Sequence, residues 1–501
     1  MIEPFNKIYS QKKYELLIIF CNFDDSIHIR FMSNNYEKFL TLRKQYPVFT
    51  FESFEVIHSE KGMSIEFLFV VDEHIKFQPT LFIPNRHFYR FDRLSSEQIN
   101  LLAFHIGMIE LVSYWKATCS PTVVVKPFAL SNVQIDWWKK LYFHGLGEFF
   151  YVNEICTTQS EFMIIQCNSD HVLEKQNFNL DEKVIVPIGG GKDSVVTLEL
   201  LRESQFEINF VEGLATADLR FAVRPMIINP RGATLNCARI AGFEPEQIIE
   251  VNRTIHPRLL ELNAEGFLNG HTPFSAMLAF VSLLTSAITG MKHIALSNES
   301  SANESTVLGQ DVNHQYSKSL EFENDFRDYV KTFISDDFNY FSFLRPLNEL
   351  RIAKYFSEFQ QYHNVFRSCN VGSKNDIWCN NCAKCLFAFI ILSPFIEPEK
   401  LIQIFGTDLL NNVETHCNAS LQHEFNQLIG IENVKPFECV GTIDEVNAAL
   451  NMHIQRFPNH TPTLIEYYKT LPNYTKNPQD ITNVFLDEHN LLPMFLACFR
   501  R

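Results

Sequence analysis

Residues 184–201, VIVPIGGGKDSVVTLELL, run from an apolar strand through three glycines into Lys192, Asp193, Ser194 and a helix. Consecutive glycines at such a junction let the backbone approach a ligand closely. The first amides of the helix and the positive end of its dipole then favour an anion, a phosphate above all. The nucleoside-triphosphate loop Gly-x4-Gly-Lys-Ser/Thr is absent, because Asp193 follows Lys192 and Val186 stands six positions before it. The dinucleotide pattern G-x-G-x-x-G fails too, with Ser194 at its third glycine position.

Outward from this turn, strand and helix alternate. EINFVEG (207–213) reads as a second strand, TLNCARIAGF (234–243) as a helix and QIIEVNR (247–253) as a third strand. Thr272-Pro273 reads as the cap of an apolar helix running to Gly290, and HIALS (293–297) as a fourth strand. This alternation predicts an α/β domain over 176–400, a parallel sheet with helices on both faces. Ligands of such sheets bind beyond the C-terminal ends of the strands. Upstream, YELLIIF, SIHIRFM, SIEFLFVV and TLFIPN within 14–87 read as largely antiparallel strands. With the helical spacing of Ile99, Leu102, Ile106, Ile109 and Val112, they predict an α+β N-terminal domain over 1–175. Residues 401–501 read as a helical C-terminal region without a chemical signature.

With 43 basic against 58 acidic residues among 501, the formal charge of −15 makes nucleic acid and anionic membranes poor partners. The start MIEPFNKIYSQKKYELLIIF has neither the basic run nor the sustained apolar core of an export signal. The uncharged stretch 274–291 is about long enough to span a bilayer, but its serines and threonines suit a buried helix. A cytoplasmic location without membrane insertion is therefore expected. Nothing in the sequence sets an oligomeric state.

Cys369, Cys379, Cys382 and Cys385 form the pattern C-x9-C-x2-C-x2-C. Four closely spaced thiolates suit a tetrahedral structural zinc site in a reducing compartment. An iron-sulfur cluster is the alternative occupant. After the fourth strand comes the polar segment NESSANESTVLGQDVNHQYSKSLEFE (298–323), which the α/β arrangement places at the ligand end. Its Asn298, Glu299, Asn303 and Glu304 face the nucleotide site on this reading, while His314, Tyr316, Ser317 and Lys318 offer proton transfer or carboxylate binding. His271, just before the Thr-Pro cap, is a candidate neutral base at a helix N-terminus. Arg224 and Arg231 in VRPMIINPRGATLN are candidates for phosphate or carboxylate binding.

Gly189-Gly190-Gly191-Lys192-Asp193-Ser194 resembles the pyrophosphate loop of the ATP-pyrophosphatase (PP-loop) superfamily, usually Ser-Gly-Gly-x-Asp-Ser, with glycine at the first serine. The resemblance implies an adenine nucleotide α-hydrolase-like fold, ATP as ligand, and attack at the α-phosphate. Gly190, Gly191 and Ser194 would then hold pyrophosphate, Lys192 would add charge, and Asp193 would cap the helix or reach Mg2+. Pairing with a four-cysteine site is similar to 7-cyano-7-deazaguanine synthase. GGGKDS, NGHTPFSA, LSNESSANES, NHQYSKSLEFE, the cysteines and WWKKLYFHGLGEFFYVNEI together resemble the UDP-N-acetyl-α-D-muramoyl-L-alanyl-L-glutamate epimerase (MurL) family. That resemblance implies ATP- and Mg2+-dependent inversion of a terminal glutamate in a nucleotide-sugar dipeptide of peptidoglycan synthesis, with release of AMP and diphosphate. Lys192, His271, Glu299, His314 and Lys318 become the catalytic candidates. Arg224, Arg231, Asn298, Asn303 and Ser317 become the substrate-binding ones. Other adenylating enzymes, amide ligases and transfer-RNA modifiers among them, remain rivals, as does a non-catalytic nucleotide-binding zinc protein.

Overall fold

The computed structural model describes residues 34–208, 223–310, 312–411, 419–476 and 481–499. The expected strands YELLIIF and SIHIRFM lie outside these residues. In chain order the strands are β1 (Val48–Ser59), β2 (Gly62–Val70), β3 (Lys76–Phe77), β4 (Thr80–Pro84), β5 (Thr122–Val125) and β6 (Ile164–Cys167). They continue as β7 (Asp181–Pro187), β8 (Val223–Ile228), β9 (Ile249–Thr254), β10 (Met291–Leu296) and β11 (Asn339–Ser342). All join one eleven-stranded sheet in the order β11-β10-β7-β8-β9-β4-β2-β1-β5-β6, with β3 paired to β2.

The block β11-β10-β7-β8-β9 is parallel throughout. Side chains along a strand alternate between faces, and both faces here are covered. Ile185, Met226, Ile249 and Ile294 enter one apolar core with the helices Ser96–Trp115 and Phe274–Thr289. Val184, Val186, Ile227, Ala295 and Phe341 enter a second core with the helices Lys192–Ile208, Glu349–Glu358 and Ala383–Leu392. Burial of each such aliphatic or aromatic side chain contributes about 1.5–3 kcal/mol relative to exposure.

Three expectations change. Of the expected strand EINFVEG only Glu207 and Ile208 are described, and they are helical; the next described strand is VRPMII (β8). The helix from Lys192 reaches Ile208, and residues 209–222 lie outside the described set. Arg224 and Pro225, a charge and a missing amide, disguise β8 as a loop in sequence. The helix expected to be capped by Thr272 begins at Phe274 after Pro273, without a side-chain cap. Finally, the sheet runs through the boundary expected near residue 175, because β4 pairs with β9 at Thr80↔Thr254. Among the described residues no helix is long and apolar enough to cross a membrane. The 274–289 helix instead buries Ala276 through Ile288 in the first core, Leu278 being only partly covered.

Candidate functional site

In the parallel block β7 lies between β8 and β10, while the chain enters β10 only after β9. The two connections leave β7 on opposite sides, and a crevice opens between them at the C-terminal ends. Parallel register at Ile294↔Ile185 brings the ends of β7 and β10 level. The glycine turn therefore faces the Ser297–Glu304 segment across this crevice.

Gly190 holds φ +82, and a Cβ there would lie 3.0 Å from the Thr234 amide nitrogen. Glycine is required at that position. At Gly189 a Cβ would meet nothing within 4 Å, so the open side of the turn has room for a bulky anion. The helix starts at Lys192, and its leading amides have no partners inside the helix. The Gly190 carbonyl accepts the Arg367 amide at 2.8 Å, and Ser368 lies against Gly191. Through these two contacts the cysteine-bearing segment abuts the glycine turn.

Lys192 differs from its expected phosphate-facing pose. Its side chain is buried, with the ammonium donating to Asp193 Oδ1 at 2.5 Å and to Glu349. Burial opposes the charge, but Asp193 and Glu349 outweigh it and hold the ammonium protonated well above its ordinary range. Glu349 is pushed up by burial and by the surrounding carboxylates Asp193, Glu299 and Glu445. Glu299 is fully enclosed; burial raises its carboxyl, and Lys318 chiefly offsets that. Arg345 donates to the Glu299 carbonyl at 2.5 Å and also binds Glu323, fixing the segment after β10.

The same segment carries Lys318 and His314 to a second cluster. Lys318 donates to Cys439 Sγ at 3.1 Å, and Cys439 is only partly buried. The His314 charge also acts on Cys439, and the His314 Nδ1 lies 2.5 Å from Glu148. The His271 ring centroid is 4.4 Å from that of His314, and its Nδ1 is 3.6 Å from Glu148. Burial works against an imidazolium at His314, yet Cys439 and Glu148 push it up to about 9. Burial and the His314 charge push His271 down to about 4. Burial alone would raise the Cys439 thiol, but Lys318, Lys384 and His314 hold it well below the ordinary thiol range. Lys116 donates to the Gly270 carbonyl at 2.6 Å and is pushed down to about 8, by burial first and by Arg253.

A backbone seam delivers Cys439. Val307 and Val434 form a bridge, Lys435 N donates to Thr306 O at 2.9 Å, and Gln315 donates to Val440 O at 3.1 Å. Lys435 also pairs with Glu304. Sequence reading assigned no chemistry to the region beyond 400. The structure brings Cys439 and Glu445 from there, and Glu148 and Lys116 from the N-terminal half. Cys439 stands alone in FECVG, more than a hundred residues from Lys318 and His314, with no motif to mark it.

The remaining candidates divide. Arg231 caps the helix Gly232–Ile240 at the ligand end and donates to Ser373 at 3.2 Å. Asn298 is buried beyond β10 and donates to Ser342 at 3.0 Å; Ser317 is buried beside Lys318. Asn303 is exposed and accepts the Leu320 amide at 2.8 Å, a local cap rather than a group aimed into the crevice. Arg224 is displaced from the expected site. It is the second residue of β8, near that strand's N-terminal end and in register with Ile185, where it stacks 3.8 Å from the Phe88 ring centroid and donates to Gln247 O. A strand residue at that end cannot reach the glycine turn.

Cys369, Cys379, Cys382 and Cys385 bring their sulfurs within 4.8 Å of one another, and Cys379 and Cys385 are 3.7 Å apart. Bonds of about 2.3 Å to a tetrahedral zinc space sulfurs by about 3.8 Å, so the donor set and its spacing fit that ion.

The family model described as MurL N-terminal domain matches residues 40–343, and the MurL C-terminal domain matches 365–480. The chain is 32% identical over 347 residues to a Micromonospora sp. protein, covering 68% of this chain and 72% of that one. It is 32% identical over 354 residues to a Salinispora tropica protein and over 353 to one from Xanthomonas oryzae pv. oryzae. Each of those alignments covers 69% of this chain and 72% of the relative. All three relatives bear the name UDP-N-acetyl-alpha-D-muramoyl-L-alanyl-L-glutamate epimerase. No solved structure matches.

Proposed function

The chain belongs to the MurL family, and from that premise we propose that it inverts the terminal L-glutamate of UDP-N-acetylmuramoyl-L-Ala-L-Glu through ATP-dependent adenylation. An ionised carboxylate resists loss of its Cα proton, because the enolate would carry a second charge. Transfer of AMP to the carboxylate, with release of diphosphate, removes the first charge. A base then takes the Cα proton, reprotonation on the other face inverts the centre, and water releases AMP.

The observation that carries this reading is a set of charged groups that act on one another electrostatically around the segment after β10. The set starts at the glycine turn in the switch-point crevice and runs through Lys192, Asp193 and Glu299 to Lys318, Cys439, His314 and Glu148. An anion-accepting turn at one end and proton-transfer groups at the other suit two chemistries on one carboxylate. Gly189, Gly190, Gly191 and Ser194 would cradle diphosphate with backbone amides and a hydroxyl. Asp193, partly exposed beside the turn, and Glu299 are the carboxylates available to Mg2+. Arg231, at the start of the helix Gly232–Ile240, would meet a phosphate or carboxylate of the substrate. His271, neutral near pH 7, can accept a proton, and His314 and Lys318 can donate one. Zinc on the four cysteines would act structurally, bracing the segment that abuts Gly190 and Gly191.

The test follows AMP and diphosphate with ATP, Mg2+ and the UDP-dipeptide. Native protein releases both only when the dipeptide is present. Lys192→Ala, which leaves Asp193 and Glu349 without their cation, abolishes release. Turnover unchanged in that variant, or AMP formed without dipeptide, would contradict the reading.

A further inference from the structure

Cys439 comes from a segment with no recognisable motif and is nevertheless the point where the two halves of the site meet. Lys318, from the turn Tyr316–Lys318, donates to its sulfur at 3.1 Å. His314, from the loop before that turn, lies close enough for its charge to act on the thiol. Lys384, from the first turn of the helix Ala383–Leu392, adds a third positive charge. The seam of Val307 with Val434 and Gln315 with Val440 fixes the backbone on either side. A thiol kept merely as a small apolar filler does not need three cations around it. Cationic neighbours of this kind are what keep a cysteine as its thiolate. Behind His314 stand Glu148 at 2.5 Å and His271, its ring centroid 4.4 Å away, so further titratable groups lie beyond the thiol. Lys318 also faces Glu299, which faces Lys192 and Asp193, so the thiol stands one charged neighbour beyond the groups beside the glycine turn.

We propose that Cys439 is a catalytic proton-transfer residue, its thiolate removing the Cα proton of the activated glutamate. This rests on the adenylation reading above. The S–H bond forms as Cα–H breaks, and the C–H electron pair moves into the adjoining carbonyl to give the enolate. A water-exchanged acid on the opposite face returns a proton to Cα, and the Cys439 thiol gives its own proton up to solvent, which restores the thiolate. Lys318 and His314 hold the sulfur anionic before the step.

The test separates adenylation from proton removal. Zinc-loaded native protein, Cys439→Ser and Cys439→Ala are compared for dipeptide-dependent exchange of labelled diphosphate into ATP. Deuterium entry at the glutamate Cα in deuterated water is measured in parallel. Both variants keep diphosphate exchange within about threefold and lose deuterium entry by at least 100-fold. A smaller loss of deuterium entry overturns the proposal. So does a glutamyl adduct on Cys439 found by mass spectrometry after acid quench of the native enzyme, which would make the sulfur a nucleophile. If neither variant folds, iodoacetamide on native protein at pH 7 decides. Alkylation of Cys439, slowed by the UDP-dipeptide, abolishes deuterium entry at the rate of labelling, and retained entry or an unlabelled Cys439 overturns the proposal. No dipeptide-dependent diphosphate exchange in the native enzyme would instead remove the adenylation reading itself.

Discussion

His271 and His314 have ring centroids 4.4 Å apart and share Glu148, yet they shift in opposite directions. His314, pushed up to about 9, contributes stability that is complete below its unfolded value near 6.5 and is lost as pH rises through about 9. His271, pushed down to about 4, contributes stability that is present above pH 6.5 and falls away as pH drops toward 4. The pair therefore favours the folded state most near pH 6.5. Nuclear magnetic resonance of the ring protons checks this: one histidine titrates near 9 and disappears in His314→Gln, and one stays neutral to about 4. Two ordinary titrations near 6.5 would show that the cluster is not assembled in this way. Lys192, His271, Glu299, His314 and Lys318 were legible in sequence because they sit in or beside recognisable loops. Glu349 and Cys439 were not, since each meets its partner only across 157 and 121 residues of intervening chain.

At the scale of elements, the glycine turn makes a prediction that separates backbone geometry from ligand contact. Gly190→Ala forces a side chain into φ +82 and against Thr234, and costs about 1–2 kcal/mol of stability on the left-handed penalty alone. Gly189→Ala meets open space and leaves the unfolding midpoint unchanged, but raises the KM for ATP if that space receives phosphate. Urea unfolding and steady-state kinetics on the two variants check both outcomes. The cysteine segment makes a second prediction. One zinc per chain is expected by elemental analysis, lost in Cys382→Ser. Because Arg367 N holds Gly190 O at 2.8 Å, zinc removal by a chelator also lowers ATP-dependent turnover. Turnover untouched by zinc loss would mean that the segment and the turn are not coupled. Strand β7, the turn, β9, β10 and the helices around them could be read from apolar runs and glycines. Strand β8 could not, because Arg224 and Pro225 interrupt its pattern, and Arg224 was consequently placed at the wrong end of the sheet.

Across the whole molecule, the sheet does not divide where composition suggests. Antiparallel pairing of β4 with β9 fuses the N-terminal strands to the parallel block, and the first core spans both. The site accordingly draws Glu148 and Lys116 from the N-terminal half, Lys192 through Lys318 from the parallel block, and Cys439 from the irregular segment before the helix Ile443–Arg456. Local sequence patterns carry no trace of such pairings, because register between distant strands depends on three-dimensional packing. The proposed mechanism has carboxylate activation and Cα proton transfer occur in this one crevice on one substrate. It is tested most directly by incubating the protein with ATP, Mg2+ and UDP-N-acetylmuramoyl-L-Ala-L-Glu in deuterated water, then determining isotope and configuration at the terminal glutamate. D-glutamate carrying deuterium at Cα, formed together with AMP, is the expected result; AMP formed while the glutamate stays L and undeuterated would overturn the mechanism.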